Sequence, residues 1–555
     1  MAGFKNFEGK QEATGEQTVE RHETPRYDEM QPLFEAFDPR TQGGLLVDDK
    51  GRIYEVSHPT WVHDENYEVE NRTTALPVQI VDGELVHTIE YPFSAAAPSL
   101  GKEAERDVRH NGEAHQIFKN GDELLYPDGS REPRAGHDPK FDPEGFKTTI
   151  EYDTGIAFGW KALAELIVAK ELAFVRWSED HELQSANISV LPEDLQKEDV
   201  TEHPYVLDLL EPNKMRQLRE FGCLSEQFHV LMHSYEALRH AMTEYQAVQF
   251  IFGLAGAAAP IRDGSFETTL HGHYRPDYLT QDTTESVLPE NDFTRYMASQ
   301  LAQKDFVPYD WRELSRSLGS PSSGAIMMVP PKNLDAFLHE GDRQLRQGDI
   351  ISVVRTLGWH TDRMRIDKGT GEICNLPANP NLRKSEATSE MVVKYFIAKQ
   401  LDALAPSFDA EANQDRYERA VEIGHINNFF MGVSGKETLY LDLDGQTASS
   451  QELLYRLVQK TNATLLAHGL EPISSQSQAE MIASLESPPP SEVFDSPEAV
   501  FYYFFRPRSS MNANEALKIA HQVAPELSTN ELIKIFAEAR HNHVYSFARE
   551  RGIAA

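Results

Sequence analysis

The sequence predicts an α+β protein with a helical C-terminal extension. Three observations carry this. Short runs rich in Val, Ile, Thr and Tyr, punctuated by Gly and Asp, recur from about Leu45 to Thr154 and read as strands. Apolar residues at helical spacing, with recognisable caps, dominate the last third. At 555 residues the chain exceeds one ordinary core and suits a large domain with appendages.

Taken in order, Met1 to about Pro32 is polar, with few apolar anchors, and reads as a mobile arm. Arg52–Val56, Leu76–Val81 and Leu85–Tyr91 read as strands, with Asp82-Gly83 as a hairpin turn. Lys119 to Pro143 is dense in Gly, Pro and Asp and reads as loop. Lys147–Thr154 is a strand, and Lys161–Trp177 a helix with Leu163, Leu166, Ile167 and Phe174 in period. Lys214–Leu254 is mainly helical around a strand at Ser225–Leu231, and Ala325–Val329 and Ile350–Leu357 are strands. Ser385–Leu404 is a helix with Val393, Phe396, Ile397, Leu401 and Leu404 on one face. Ser449-x-x-Glu452 caps a helix to His468, and Gly469 stands where a C-cap belongs. Ser484–Pro497, with three consecutive prolines, reads as a linker. Ser528-x-x-Glu531 then starts a last helix ending near Gly552. The domain plan is therefore an arm at 1–44, a main domain at 45–470, and a linker with helical extension at 471–555.

Bulk chemistry narrows the partners. The 53 Lys+Arg against 88 Asp+Glu give a formal net charge of −35, which repels nucleic acid and anionic lipid. Solubility accounts for the same charge. Two cysteines, Cys223 and Cys374, form no disulfide framework. The N-terminus lacks the apolar core of a signal peptide, and the apolar stretch from Ala247 to Ile261 is too short to span a membrane. The expectation is a cytoplasmic protein.

No short catalytic motif is present, so any site must be dispersed. Glu90 and Glu151 sit in matching tetrapeptides, Thr88–Tyr91 and Thr149–Tyr152. A strand carboxylate on an interior face is costly unless it meets a cation, and hard oxygen ligands suit Mg²⁺. A water-facing glutamate satisfies the spacing equally well. In the strand at 225–231, Gln227 and His229 share a face while Phe228 and Val230 point to the core. His229 and His233 lack a third zinc ligand at useful spacing. Gly253–Pro260 is built of small residues, as for close backbone packing, and is followed by Arg262 and by Tyr274-Arg275. Arginine near a Gly-rich loop suits an anionic ligand, although a helix end and surface loop fit too. Arg363 and Arg365 would share a strand face, with Glu372 on the returning strand; a solvated hairpin is the alternative.

The order of these groups resembles the glutamate–cysteine ligase family, particularly its bacterial carboxylate–amine ligase branch. A strand glutamate is followed by Ile150-Glu151-Tyr152-Asp153-Thr154 and a long helix, then by a Gln227-x-His229 strand. Next come the small-residue segment Gly253–Gly264 with Tyr274-Arg275, the Asn379-Pro380-Asn381-Leu382 helix entry, and the helical part from Arg416. The likeness spans about residues 85–470. It implies an antiparallel sheet forming an open funnel flanked by helices, as in the catalytic half of glutamine synthetases. It further implies Mg²⁺ and ATP, with a carboxylate activated as an acyl phosphate and attacked by an amine. On this reading Glu90, Glu151 and Glu372 would hold metal. Gln227 and His229 would contact the nucleotide, and Arg275, Arg363 and Arg365 would stabilise the transferring phosphoryl group. Two departures stand out. Glu90 is followed by Tyr91-Pro92 where the family carries Glu-x-Glu, and Glu372-Ile373-Cys374 stands where it carries Glu-x-Arg.

The resemblance implies an ATP-dependent carboxylate–amine ligase acting on a small amino-acid or amine substrate, glutamate being one donor in view, with a homo-oligomer compatible. The departures favour a ligase-derived scaffold that binds or regulates without turnover. Phosphoryl transfer to a guanidino group is a third reading on the same architecture.

Overall fold

Backbone pairing gives the chain its frame. The structure is a computed structural model. It describes residues 46–47, 53–55, 76–81, 84–87, 98–118, 123–133, 141–143, 146–188, 191, 199, 224–231, 233, 235–256, 261–262, 265–266, 362–365, 370–409 and 412–553. The arm at Met1–Pro32 and the strands expected at Ala325–Val329 and Ile350–Leu357 lie outside the described residues. Two compact units divide the chain, one of residues 1–92, 289–359 and 365–369, the other of residues 93–288, 360–364 and 370–555.

In the first unit β1 (Leu46–Val47), β2 (Ile53–Glu55), β3 (Leu76–Val81) and β4 (Glu84–His87) pair in chain order as an antiparallel sheet. Val81 faces Glu84, the register that a two-residue Asp82-Gly83 turn imposes.

The larger unit is built around a seven-stranded sheet. Its strands are β5 (Ser99–Asp107), β6 (Asp142–Pro143), β7 (Thr149–Asp153), β8 (Ala157–Phe158), β9 (Ser225–Leu231), β10 (Asp362–Arg365) and β11 (Thr370–Pro377). They lie in the order β6-β7-β5-β9-β11-β10, with β8 pairing the start of β5. The registers of β6, β7, β5, β9 and β11 are antiparallel throughout. Ten helices of the described residues accompany the strands, so the fold is α+β as the sequence predicts.

The sheet is double-sided. Ala104, Ile150 and Tyr152 meet Phe174 and Trp177 of α1 (Trp160–Asp180) in one apolar cluster. Ionic groups are buried on the same side. Lys102 Nζ donates to Glu226 at 2.9 Å and to Ser385 Oγ at 3.0 Å, the latter on α4 (Leu382–Ala403). Arg106 Nε donates to Glu171 Oε1 of α1 at 2.8 Å. α4 starts where Asn381 caps the backbone N–H groups of Arg383 and Lys384, three residues before the sequence places it. It packs against α2 (Tyr235–Gln246), and α3 (Gln249–Gly256) follows α2. Gly256 confirms the close packing expected of the small-residue run: a Cβ there would sit 3.0 Å from Pro377 of β11.

Beyond these lie α5 (Gln414–Ser434), α6 (Ser450–Ala467), α7 (Ser475–Ser484), α8 (Pro497–Phe505), α9 (Ala513–Val523) and α10 (Thr529–Glu550). Ser449 caps α6, Gly469 takes φ +71° beyond its end, and Ser528 and Glu531 form a full capping box on α10. The C-terminal helices share a core with Ala186 and Ile188, inside the larger unit. Arg540 of α10 reaches Glu171 at 2.6 Å, and Leu382 N–H donates to His543 Nε2 at 3.1 Å. No helix among the described residues is long and apolar enough to cross a membrane.

One local expectation is corrected. Within the stretch read as loop, Glu123–Leu125 and Arg131–Pro133 form a small antiparallel hairpin. Its turn closes because Gly129 adopts φ +83° and Tyr126 N–H donates to Ser130 O at 3.0 Å. The Gly-Pro-Asp density marked that turn while concealing its short strands.

Candidate functional site

β5, β7, β9 and β11 bring acidic side chains to one face of the sheet. In an antiparallel pair, residues directly opposite share a face, and the pleat alternates faces along each strand. Glu103 is opposite Asp153 on β7 and Gln227 on β9; Glu105 is opposite Glu151; His229 is opposite Glu372 on β11. Glu103, Glu105, Glu151, Asp153, Gln227, His229 and Glu372 therefore line one face. Lys102, Arg106 and Glu226 occupy the other.

The geometry is tightest at Glu103, His229 and Glu372, whose ligand atoms all lie within 4.8 Å of one another. His229 Nε2 is 3.0 Å from Glu103 Oε1, and its Nδ1 is 3.2 Å from Thr370 Oγ1. Glu372 is fully buried, whereas Glu103 keeps partial exposure. Beside them Glu105 is buried and accepts from Ser225 N–H at 2.6 Å and from Gln227 Nε2 at 2.9 Å. These neutral donors fix its orientation without neutralising it.

The donor set fits a divalent cation. Two ligand atoms about 2.1 Å from one ion and at right angles lie about 3.0 Å apart, the His229–Glu103 separation. Two carboxylates and one imidazole suit Mg²⁺ with added water, and suit Mn²⁺ as well. The charge pattern agrees, since the described cations on β5 turn to the opposite face and are paired there. Burial lowers the Lys102 ammonium from its ordinary range, and Glu226 partly offsets this. Burial alone would raise Glu171, but Arg106 and Arg540 hold it down to about 2.

The predicted site residues divide into three groups. Gln227, His229, Glu151 and Glu372 share the acidic face, as the alternation of their strands requires. Arg363 and Arg365 lie on β10, beside β11 in the sheet, with side chains outside the described residues. Glu90 and Arg275 lie outside the described residues altogether. His233 follows β9 in a bend, so it does not stand one helical turn from His229.

Sequence reasoning missed Glu103 and Glu105. Five of the nine residues of β5 are charged, and Glu, Lys, Asp and Ala are all depleted in strands, so Lys102–Asp107 gave no strand signal. The available clue was Glu103-Ala104-Glu105 itself, carboxylates at a spacing of two. Cys374 also acquires a setting. β11 carries a bulge between Ile373, opposite Phe228, and Leu376, opposite Glu226. Glu372 precedes the bulge and stays in register with His229, while Cys374 falls within it.

No family model and no curated protein matches this sequence. Solved structures do match its fold. It is similar to a bifunctional glutathione synthetase from Pasteurella multocida, at 13% identity and TM-score 0.42 over 81% of this chain, and it spans only 52% of that protein's length. It is similar to a glutamate–cysteine ligase from Francisella tularensis solved with AMP, at 11% identity and TM-score 0.44, covering 83% of this chain and 95% of that one. A third likeness is to the ligase PafA in complex with the prokaryotic ubiquitin-like protein Pup, at 11% identity and TM-score 0.35, covering 83% of this chain and 78% of that one.

Proposed function

We propose that this chain is an ATP-dependent carboxylate–amine ligase whose acidic sheet face holds Mg²⁺ and the nucleotide triphosphate. The observation that carries the reading is the Glu103–His229–Glu372 cluster, flanked by Glu105 and Glu151, on one face of an antiparallel sheet. Glu103-Ala104-Glu105 also supplies the Glu-x-Glu strand that is missing at Glu90, which supports the family resemblance. Divalent cations, when bound, offset triphosphate charge and polarise the γ-phosphoryl group. Glu103, His229 and Glu372 would ligate one ion, with Glu105 and Glu151 beside it and Gln227 holding Glu105. Arg275, Arg363 and Arg365 are the proposed cationic partners of the transferring group. A substrate carboxylate oxygen, from glutamate or a related acid, would attack the γ-phosphorus, and the bond to ADP would break. The amine nitrogen would then attack the acyl carbon, and phosphate would leave as the amine loses a proton.

Titration calorimetry of Mg²⁺-ATP into the wild type, Glu103→Gln and Glu372→Gln tests this. Binding by the wild type and a loss of at least tenfold in each variant is expected. Absence of binding at millimolar nucleotide refutes the reading. A second reading, nucleotide binding without turnover, is favoured by Cys374 and the bulge where the family carries an arginine. It predicts wild-type Mg²⁺-ATP affinity with no ADP release on any carboxylate–amine pair.

A further inference from the structure

We infer that Thr370 is a positioning residue that sets the tautomer of His229 for cation binding. The inference rests on the metal reading of the cluster and goes beyond it. Only an unprotonated ring nitrogen can ligate a cation, and Nε2 is the nitrogen that faces Glu103, 3.0 Å away. The ring proton must then sit on Nδ1. Thr370 Oγ1 lies 3.2 Å from Nδ1 and is placed to accept that N–H.

Thr370 is built into the site. It is the first residue of β11, paired with Leu231 on β9 and two residues before Glu372. The β9–β11 ladder thus delivers one ligand directly in Glu372 and orients another through the Thr370 hydroxyl. At 9% exposure, Thr370 sits where few water molecules can take over the acceptor role. A hydroxyl suits this position because it can also donate. Without a cation, the Nε2···Glu103 contact places a proton on Nε2, and the hydroxyl can rotate to donate to Nδ1. With a cation, the same oxygen accepts from Nδ1–H. Outer partners of this kind typically contribute 10- to 100-fold to metal affinity.

The test titrates Mn²⁺ alone into the full-length protein and follows loss of the free-ion electron paramagnetic resonance signal. Wild type, Thr370→Val, Thr370→Ser and Glu103→Gln are compared, and thermal unfolding without metal is measured on each. Valine keeps the shape and removes the hydroxyl. It is expected to weaken Mn²⁺ binding roughly tenfold or more, while serine stays within about threefold of the wild type. Wild-type affinity in Thr370→Val overturns the assignment while leaving the metal site standing, provided Glu103→Gln is impaired. Equal weakening by serine and valine also overturns it, because the methyl group, not the hydroxyl, would then be responsible. No Mn²⁺ binding by the wild type removes the metal reading and this inference together.

Discussion

Replacing Glu171 by Gln tests how the site strand is held from behind. Both oxygens of Glu171 are engaged: Arg106 of β5 and Tyr152 of β7 meet Oε1, and Arg540 of α10 donates to Oε2 at 2.6 Å. All three charged side chains are at most 3% exposed. The glutamine variant keeps the volume but leaves two buried guanidinium groups facing a neutral amide, which typically costs about 3–5 kcal/mol. Proton linkage gives a similar figure. A carboxyl held at about 2 in the fold, against its ordinary 4.5, contributes roughly 3 kcal/mol at neutral pH. Because the folded value is depressed, this contribution is complete above pH 4.5 and is lost as pH falls towards 2. Urea unfolding of both proteins at pH 7, 5 and 3.5 is the assay. The gap should be about 3 kcal/mol at pH 7 and 5 and visibly smaller at pH 3.5. A gap below about 1 kcal/mol at pH 7, or one that does not shrink in acid, refutes the reasoning.

Further outcomes follow from the same packing. A Cβ on Gly371 would lie 2.5 Å from Leu238 Cδ1, so Gly371→Ala should push α2 from β11, cost about 1–3 kcal/mol and weaken Mg²⁺-ATP binding next door at Glu372. Adding Leu238→Ala should restore binding, and an unperturbed Gly371→Ala would show that the strand yields freely. Burial pushes His543 down to about 3, so it stays neutral in the fold while its unfolded counterpart protonates below about 6.5. Stability should fall as pH drops from about 6.5 towards 3. In His543→Gln that slope should lessen by up to about 1.4 kcal/mol per pH unit, read from urea midpoints. Gly424 packs so closely that a Cβ would be 2.6 Å from Gln246 O; Gly424→Ala should lower the melting temperature by several degrees, while Gly445→Ala on an open turn meets no such contact.

Sequence alone determined the elements whose cause is local. Leu76–Val81 with its Asp-Gly turn, the strand at Ser225–Leu231, the helix ending at Gly469 and the Ser528 capping box all follow from nearest-neighbour chemistry, and the structure reproduces them. Alternation along 225–231 likewise placed Gln227 and His229 on one face before any fold was known. The tertiary structure decided everything that depends on pairing between distant segments. β5 is a strand because β7 and β9 pair with it and because Glu226 and Glu171, far away in sequence, compensate Lys102 and Arg106. No local pattern encodes that compensation, so the residues central to the candidate site, Glu103 and Glu105, stayed hidden in a charged run. The match of Glu372 to His229 depends in the same way on the β9–β11 register and on a bulge just beyond it. A one-residue slip would carry Glu372 to the opposite face, which is why spacing alone could nominate these residues but not assemble them.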